Sequence, residues 1–277
     1  MSEQLEAAAP AKLNLALVVG PLRLDGKHEV VTVLERLALA DEVALREADA
    51  TAVEGFADDT LVGAALEGIC AAAGSPRRFA VRLTKRIPVA AGLGGGSSDA
   101  AAALALANRA LGPDALSARA LHDLAADLGA DVPFFLHDRP QLATGDGTTL
   151  EPLGLPRDYS VLLVLQEGDE KSSTREVYEA FDARGGASGF DDRRQALHAA
   201  VARIRSSRDL ADLPANDLAS SPLAAELREL GAFRADVSGA GPVVFGLFAT
   251  DDDAHRAGEA LMGQATIWVT TPLGRCP

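Results

Sequence analysis

The stretch from Pro88 to Ala103, PVAAGLGGGSSDAAAA, constrains this chain more than any other. Gly92, Gly94, Gly95 and Gly96 fall within five positions, Ser97 and Ser98 follow, and an Ala-rich run of high helix propensity comes next. A Gly-rich loop therefore opens directly onto a helix N-terminus. Unpaired backbone N–H groups and the positive end of the helix dipole converge there, which suits an anion. Missing Cβ atoms let the backbone approach a phosphate closely. A flexible turn with a Ser N-cap is the other reading of the same residues. The absence of a Lys after the glycines excludes a Walker A loop. Ser at position 97 excludes a G-x-G-x-x-G dinucleotide fingerprint, and no glycine follows the serines as a nucleophile elbow requires.

Composition narrows the class. The 277 residues suffice for one large domain or two modest ones. With 4% aromatics, the core must be built largely from Ala, Leu and Val. A net charge of -14 argues against general nucleic-acid binding, which needs a basic footprint. Two isolated thiols, Cys70 and Cys276, fit a reducing cytoplasm and form no metal motif. No signal peptide and no bilayer-spanning run is read, so a cytoplasmic protein without membrane partners is expected, as monomer or homodimer.

Periodicity places the elements. Ala11 to Val19 alternates as a strand, with Leu13, Leu15 and Leu17 on one face and Lys12 and Asn14 on the other. These two polar groups either line a site or sit on a solvated edge. Asp25-Gly26 marks a turn. A helix is predicted over Asp58 to Ala73, with Gly74 past its end, and a strand over Phe79 to Lys85. The helix opening near Ser98 should reach about Arg109, and Ser117 should cap another that ends at Gly129. Asp131 either caps the turn at Pro133 or serves as a carboxylate that accepts a hydroxyl proton. Gln141 to Leu153 reads as a turn between strands. The prolines of Pro152–Pro156 suggest a domain junction. Beyond it come a buried strand (Ser160 to Leu165) and a helix with a Ser173/Glu176 capping box. A charged helix (Asp191 to Ser206) and one from Ser221-Pro222 to Gly231 follow. Strands around Ser238-Gly239-Ala240-Gly241-Pro242, a helix (Asp251 to Met262) and a strand (Ala265 to Thr271) close the chain. An α+β layering with helices on one face is implied.

Several segments carry a family resemblance. P-x-x-x-G-L-G-G-G-S-S, from Pro88 to Ser98, resembles the ATP-phosphate loop of the GHMP kinases. PAKLNL from Pro10, GADVPFF from Gly129 and SGAGP from Ser238 resemble further motifs of that family, in the expected order. Asn216-Asp217-Leu218 is similar to an N-D-L motif of its C-terminal half. The triple glycine points to the branch whose substrate is a cytidine-diphosphate-linked polyol of isoprenoid precursor synthesis.

The resemblance implies a two-domain GHMP kinase fold. A ribosomal-protein-S5-like N-terminal domain (1–155) would carry the ATP loop, and a ferredoxin-like C-terminal domain (156–277) would follow. ATP phosphates would lie on Pro88, Val89, Ala90, Ala91, Gly92, Leu93, Gly94, Gly95, Gly96, Ser97 and Ser98. Lys12 and Asp131 would be catalytic. Ser238, Gly239 and Gly241 would form the third motif, packed beside the loop. Magnesium would arrive with the nucleotide, near Ser98, without a protein metal cage. On the substrate side the resemblance implies Asn14, Lys27, His28, Thr174 and Tyr178, with His28 and Tyr178 at the cytosine. Lys27 departs from the branch pattern, which has an aromatic there. Asp146 and Thr148 depart too, where a basic or aliphatic residue and a Glu are usual. A kinase for another small alcohol, or a nucleotide-binding module without turnover, are the alternatives.

Overall fold

The computed structural model describes residues 4–57, 59–166 and 173–274. Packing divides them into two compact units that interleave along the chain. The first holds the N-terminal residues through Ala11, Leu39–Val89 and Gly94–Asp138. The second holds Lys12–Ala38, Ala90–Leu93 and the chain from Arg139 on. Two long strands, β1 (Leu5–Leu22) and β2 (His28–Ala48), pair with one another and each run through both units. Division by packing therefore differs from the single cut at 155/156 read from the Pro-rich junction. Sequence reading placed no strand on β2: residues 30–35 are buried on both faces and show no period-2 pattern, while the alternation of Val43 and Leu45 with Glu42 and Arg46 further along went unread.

In the first unit β3 (Ala52–Glu54), α1 (Leu61–Ala72) and β4 (Arg78–Thr84) follow. β4 pairs antiparallel with the end of β2, Val43 opposite Leu83 and Leu45 opposite Val81, and parallel with β3. Helix α1 ends as expected, with Gly74 at φ +61° and the Ser75 N–H on the Cys70 carbonyl at 2.9 Å. Its predicted start at Asp58 lies outside the described residues, and the first helical residue is Leu61. Helix α2 (Gly95–Leu111) begins before Ser98. Its N-cap is Gly94, left-handed at φ +69°, with no side-chain cap. Ser97 and Ser98 lie inside the helix, which corrects the Ser-capped turn. Small side chains at Ala100, Ala103 and Ala107 are buried, and α2 packs on α1. Helix α3 (Ala118–Leu128) is capped by Ser117, whose hydroxyl accepts the Ala120 N–H at 3.3 Å.

In the second unit β5 (Gln141–Gly145) and β6 (Thr149–Pro152) form a hairpin, and β5 pairs with Val30–Leu34 of β2. Next come β7 (Ser160–Gln166), α4 (Thr174–Ala183) with the predicted capping box, and α5 (Phe190–Val201). Helix α5 stops short of the predicted Ser206, where a 3-10 turn over Ser207–Asp212 takes over. The chain continues through α6 (Pro222–Glu229), β8 (Arg234–Val237), β9 (Val244–Phe248), α7 (Asp251–Ala260) and β10 (Ala265–Thr270). β10, β7, β9 and β8 form an antiparallel sheet in that order, the split-βαβ arrangement of a ferredoxin-like domain. Leu162 and Val164 of β7 pack with Leu227 of α6 and Ala254 and Ala257 of α7. No helix among the described residues is long and apolar enough to cross a membrane.

Candidate active site

The glycine loop has a regular backbone. Ala90, Gly92 and Gly94 have φ of +63°, +82° and +69°, while Ala91 and Leu93 between them do not share the positive sign. Such alternation turns successive N–H groups toward one concave side, the arrangement that binds anions. Ala90 is the one non-glycine among the described residues with positive φ. An L-residue in that conformation costs roughly 1–2 kcal/mol, so strain is held where the loop bends. Pro88 is half-buried and Val89 is 63% exposed at the loop's entry. At its exit Ser98 is buried, and its hydroxyl has no hydrogen-bond partner among the described residues.

Within the second unit, residues 90–93 lie against the third-motif turn. A Cβ on Gly92 would stand 2.2 Å from the Ser238 carbonyl oxygen, and one on Gly241 would stand 2.3 Å from the Ala91 carbonyl. The Ser238 hydroxyl donates to the Gly92 carbonyl at 3.2 Å. A Cβ on Gly239 (φ +60°) would meet Asn14 Oδ1 at 3.1 Å and Lys12 Nζ at 3.4 Å. These glycines are therefore set by close backbone approach. Asn216, from the N-D-L segment, donates through Nδ2 to the Val237 and Gly239 carbonyls at 3.0 and 2.7 Å and so carries the turn. Asp217 accepts the Val19 N–H at 2.8 Å and Arg193 Nε at 3.0 Å, fastening β1. Neither role was visible in the sequence, because each depends on partners far along the chain.

Lys12 and Asn14 are both 5% exposed, so the solvated-edge reading fails. Lys12 Nζ donates to Asn14 Oδ1 at 2.5 Å. Asn14 Nδ2 donates to Thr32 Oγ1 at 2.9 Å, and that hydroxyl donates to the Ala16 carbonyl at 2.7 Å. The Lys12 backbone N–H reaches the Leu93 carbonyl at 2.9 Å. This relay fixes the ammonium. Asp131 belongs to the first unit. It does not cap the turn at Pro133, where Val132 is the N-cap without a side-chain bond. Sequence reading missed a buried ionic group in the same unit, in which Lys85 bonds both Asp41 and Asp99 at 2.5 Å.

Of the residues expected on the substrate side, the second unit brings His28 and Tyr178 together, with ring centroids 5.0 Å apart at 32°. Phe181 meets His28 edge-on at 5.9 Å. His28 is buried, with Nδ1 on the Gly20 carbonyl at 2.9 Å and Nε2 3.4 Å from Asp182. A carbonyl only accepts, so Nδ1 carries a proton. Thr174 is exposed on the first turn of α4. The three departures from the family pattern turn out to be linked. Lys27 Nζ donates to Asp146 Oδ2 at 2.6 Å, and the Thr148 hydroxyl and N–H donate to Asp146 Oδ1 at 2.6 and 3.2 Å. Partial burial works against the ionised Asp146 carboxyl, yet the Lys27 and Thr148 bonds outweigh it and hold the pKa at about 2.

Residues 60–139 match the GHMP kinases N terminal domain and residues 217–265 the GHMP kinases C terminal domain. A 4-diphosphocytidyl-2-C-methyl-D-erythritol kinase of Salinispora arenicola is 40% identical over 94% of this chain and 88% of its own length. One from Desulfitobacterium hafniense is 35% identical over 98% and 97%. A crystal structure of 4-(cytidine 5'-diphospho)-2C-methyl-D-erythritol kinase, 34% identical, superimposes with a TM-score of 0.77 over 98% of this chain and all of that one. Mevalonate kinase of Methanococcus jannaschii, at 11% identity and a TM-score of 0.69 over 99% of both chains, shares the fold. With its glycine loop, its third-motif turn and relatives of this identity along nearly its whole length, the chain belongs to the GHMP kinase family, in the branch of the 4-diphosphocytidyl-2-C-methyl-D-erythritol kinases.

Proposed function

We propose that this chain transfers the γ-phosphoryl group of ATP to a hydroxyl of 4-diphosphocytidyl-2-C-methyl-D-erythritol, a step of non-mevalonate isoprenoid precursor synthesis. The observation that carries the reading is the loop of alternating φ at residues 90–94 running into the N-terminus of α2. Its N–H groups and helix dipole suit the nucleotide phosphates. The substrate oxygen forms a bond to phosphorus, the β–γ bridge breaks to leave ADP, and Asp131 takes the hydroxyl proton. Lys12 stabilises the charge that spreads over the transferred group.

Asn14 positions Lys12 through Oδ1 and bonds Thr32 through Nδ2, and the second N–H and second lone pair of its amide leave it able to contact the substrate as well. His28 and Tyr178 serve the cytosine, and Thr174 approaches the substrate. No group of three or more His, Cys, Asp or Glu among the described residues could hold a metal. The unpartnered Ser98 hydroxyl is a suitable single oxygen for a magnesium ion that arrives on the nucleotide. That ion supplies neutralisation of phosphate charge. Residues 1–155 and 156–277 remain the proposed family domains, whichever way the packing interleaves.

The test is ADP release across a panel of alcohols that includes the cytidine conjugate, mevalonate and homoserine. Turnover should be confined to the cytidine conjugate. Turnover of a different alcohol alone would keep the kinase and remove the substrate. ATP binding without ADP release on any alcohol would leave a binding module.

A further inference from the structure

Two segments hold the His28–Tyr178 pair, and one side chain joins them, all within the second unit. His28 depends on β1, because its Nδ1 donates to the Gly20 carbonyl. Tyr178 depends on α4, whose C-terminal end folds back in the turn 184–189. That turn closes on the Phe181 ring. The Gly186 N–H donates to the Phe181 carbonyl at 3.0 Å, and a Cβ on Gly186 would stand 2.3 Å from Phe181 Cε2.

Arg193, in the first turn of α5, spans from this turn to the strand. Its Nη2 donates to the Gly186 carbonyl at 2.8 Å and to the Val19 carbonyl at 3.0 Å, and its Nη1 donates to the Ser188 carbonyl. Its Nε donates to Asp217 Oδ2 at 3.0 Å, the same oxygen that accepts the Val19 N–H at 2.8 Å. Both backbone polar groups of Val19 are thus held at one point. Three residues earlier on α5, Phe190 covers Gly20, where a Cβ would meet the ring at 2.9 Å. The start of α5 therefore grips β1 at Val19 and Gly20, and Gly20 carries the carbonyl that orients His28.

Apolar packing also joins β1 to α4. Leu17 and Val19 cluster with Phe181, and Val177 and Tyr178 pack at the margin. Such packing is non-directional and lets side chains slide, whereas a guanidinium is a planar fork with fixed donor directions. The fork is what fixes how α4 lies along β1. Lys12 and Asn14, further along the strand, have their own bonds to Leu93 and Thr32. The influence of Arg193 therefore falls on the two rings and not on the ammonium. Resting on the reading that these rings receive the cytosine, we propose that Arg193 is a specificity-determining positioning residue. It sets the spacing of His28 and Tyr178 through Val19 and the turn 184–189, and does not itself touch the substrate.

The experiment is steady-state kinetics of the full chain with ATP and the cytidine conjugate. Arg193→Lys keeps the charge and the stem, but its single nitrogen cannot reach Val19, Gly186 and Asp217 together. The Michaelis constant for the cytidine conjugate should rise about three- to tenfold. Turnover and the constant for ATP should each change by less than about twofold, the pattern of lost binding without lost chemistry. In a His28→Ala background the same substitution should add less than about twofold, because one of the rings it spaces is gone. In magnetic resonance spectra the imidazole Nδ1 signal of His28, assigned by its loss in His28→Ala, should move in Arg193→Lys.

An unmoved constant for the cytidine conjugate overturns the proposal, as does an equal rise for ATP or a fall in turnover alone. Full additivity with His28→Ala overturns it too. Should Arg193→Lys not fold, Arg193→Gln is read in the same way. If neither folds, Arg193 is a requirement of the fold and the proposal falls. A wild type that does not turn over the cytidine conjugate removes the substrate reading and this inference together. Turnover of that compound with no change in Arg193→Lys removes the inference alone.

Discussion

The glycine loop and the rim of the proposed base pocket are built on opposite rules. Around the loop, backbone meets backbone: Gly92 against Ser238, Gly241 against Ala91, with no room for a Cβ at either. At the rim, side chains answer one another: Lys27, Asp146 and Thr148 form one bonded chain, and His28 stacks on Tyr178. A backbone constraint admits one residue type, so it shows in a single sequence. A side-chain constraint admits many solutions provided that partners change together. The first region should therefore be intolerant and the second exchangeable.

The chemistry should be the least tolerant part. Asp131→Asn removes the proposed proton acceptor and keeps the shape. Turnover should fall by about 10²–10⁴-fold with little change in ATP affinity. Single-turnover rates and nucleotide titrations check both halves, and near wild-type turnover would take Asp131 out of the mechanism.

Glycines of the loop come next, and they should not be equal. Gly92→Ala forces a methyl to 2.2 Å from a carbonyl oxygen at φ +82°, so backbone must move. A loss of about 2–4 kcal/mol of stability is expected, with ATP affinity down more than about tenfold. Gly95 has no positive φ, and its Cβ would meet the Ile87 side chain at 3.2 Å. Gly95→Ala should therefore cost under about 1.5 kcal/mol. Denaturant midpoints and calorimetry for the pair decide it. Equal effects would mean that loop backbone is free to adjust.

At the rim, His28→Ala removes a ring packed on Tyr178 and Phe181 and a bond to Gly20. The Michaelis constant for the cytidine conjugate should rise about tenfold, equivalent to roughly 1.4 kcal/mol, with that for ATP unchanged. A parallel rise for ATP would show that the whole unit has loosened.

Legibility in the sequence follows the same division. The Gly74 helix end, the Ser117 cap, the Ser173/Glu176 box and the strands around Ser238 could be read because each depends on neighbours within a few residues, and the glycine loop because a close backbone approach, even to a distant segment, leaves its mark as glycine. Strand β2 was missed although its second half alternates, Val43 and Leu45 inward against Glu42 and Arg46; only residues 30–35, buried on both faces, lack the pattern. Asp41, Lys85 and Asp99 were missed because the turn of the chain, not spacing, brings them together. Lys27, Asp146 and Thr148 read as separate anomalies until the β5–β6 hairpin placed Asp146 against Lys27.

That last group sets the finest prediction. An aromatic at position 27 would offer the base a second wall, worth about 0.5–1.5 kcal/mol beyond buried area. Lys27→Tyr alone, however, strips Asp146 of its cation while Thr148 keeps it ionised. The substrate's own diphosphate is then repelled by an unbalanced carboxylate, which offsets the stacking gain. Lys27 is half exposed, so the pair itself contributes only about 0.2–1 kcal/mol. The single variant should change the Michaelis constant for the cytidine conjugate by less than about twofold, whereas Lys27→Tyr with Asp146→Asn should lower it by about three- to tenfold. The constant for ATP should stay put in every variant. A full gain from Lys27→Tyr alone would mean that the pair is not coupled. No movement in any variant would place the base elsewhere and leave the ion pair a feature of the hairpin only.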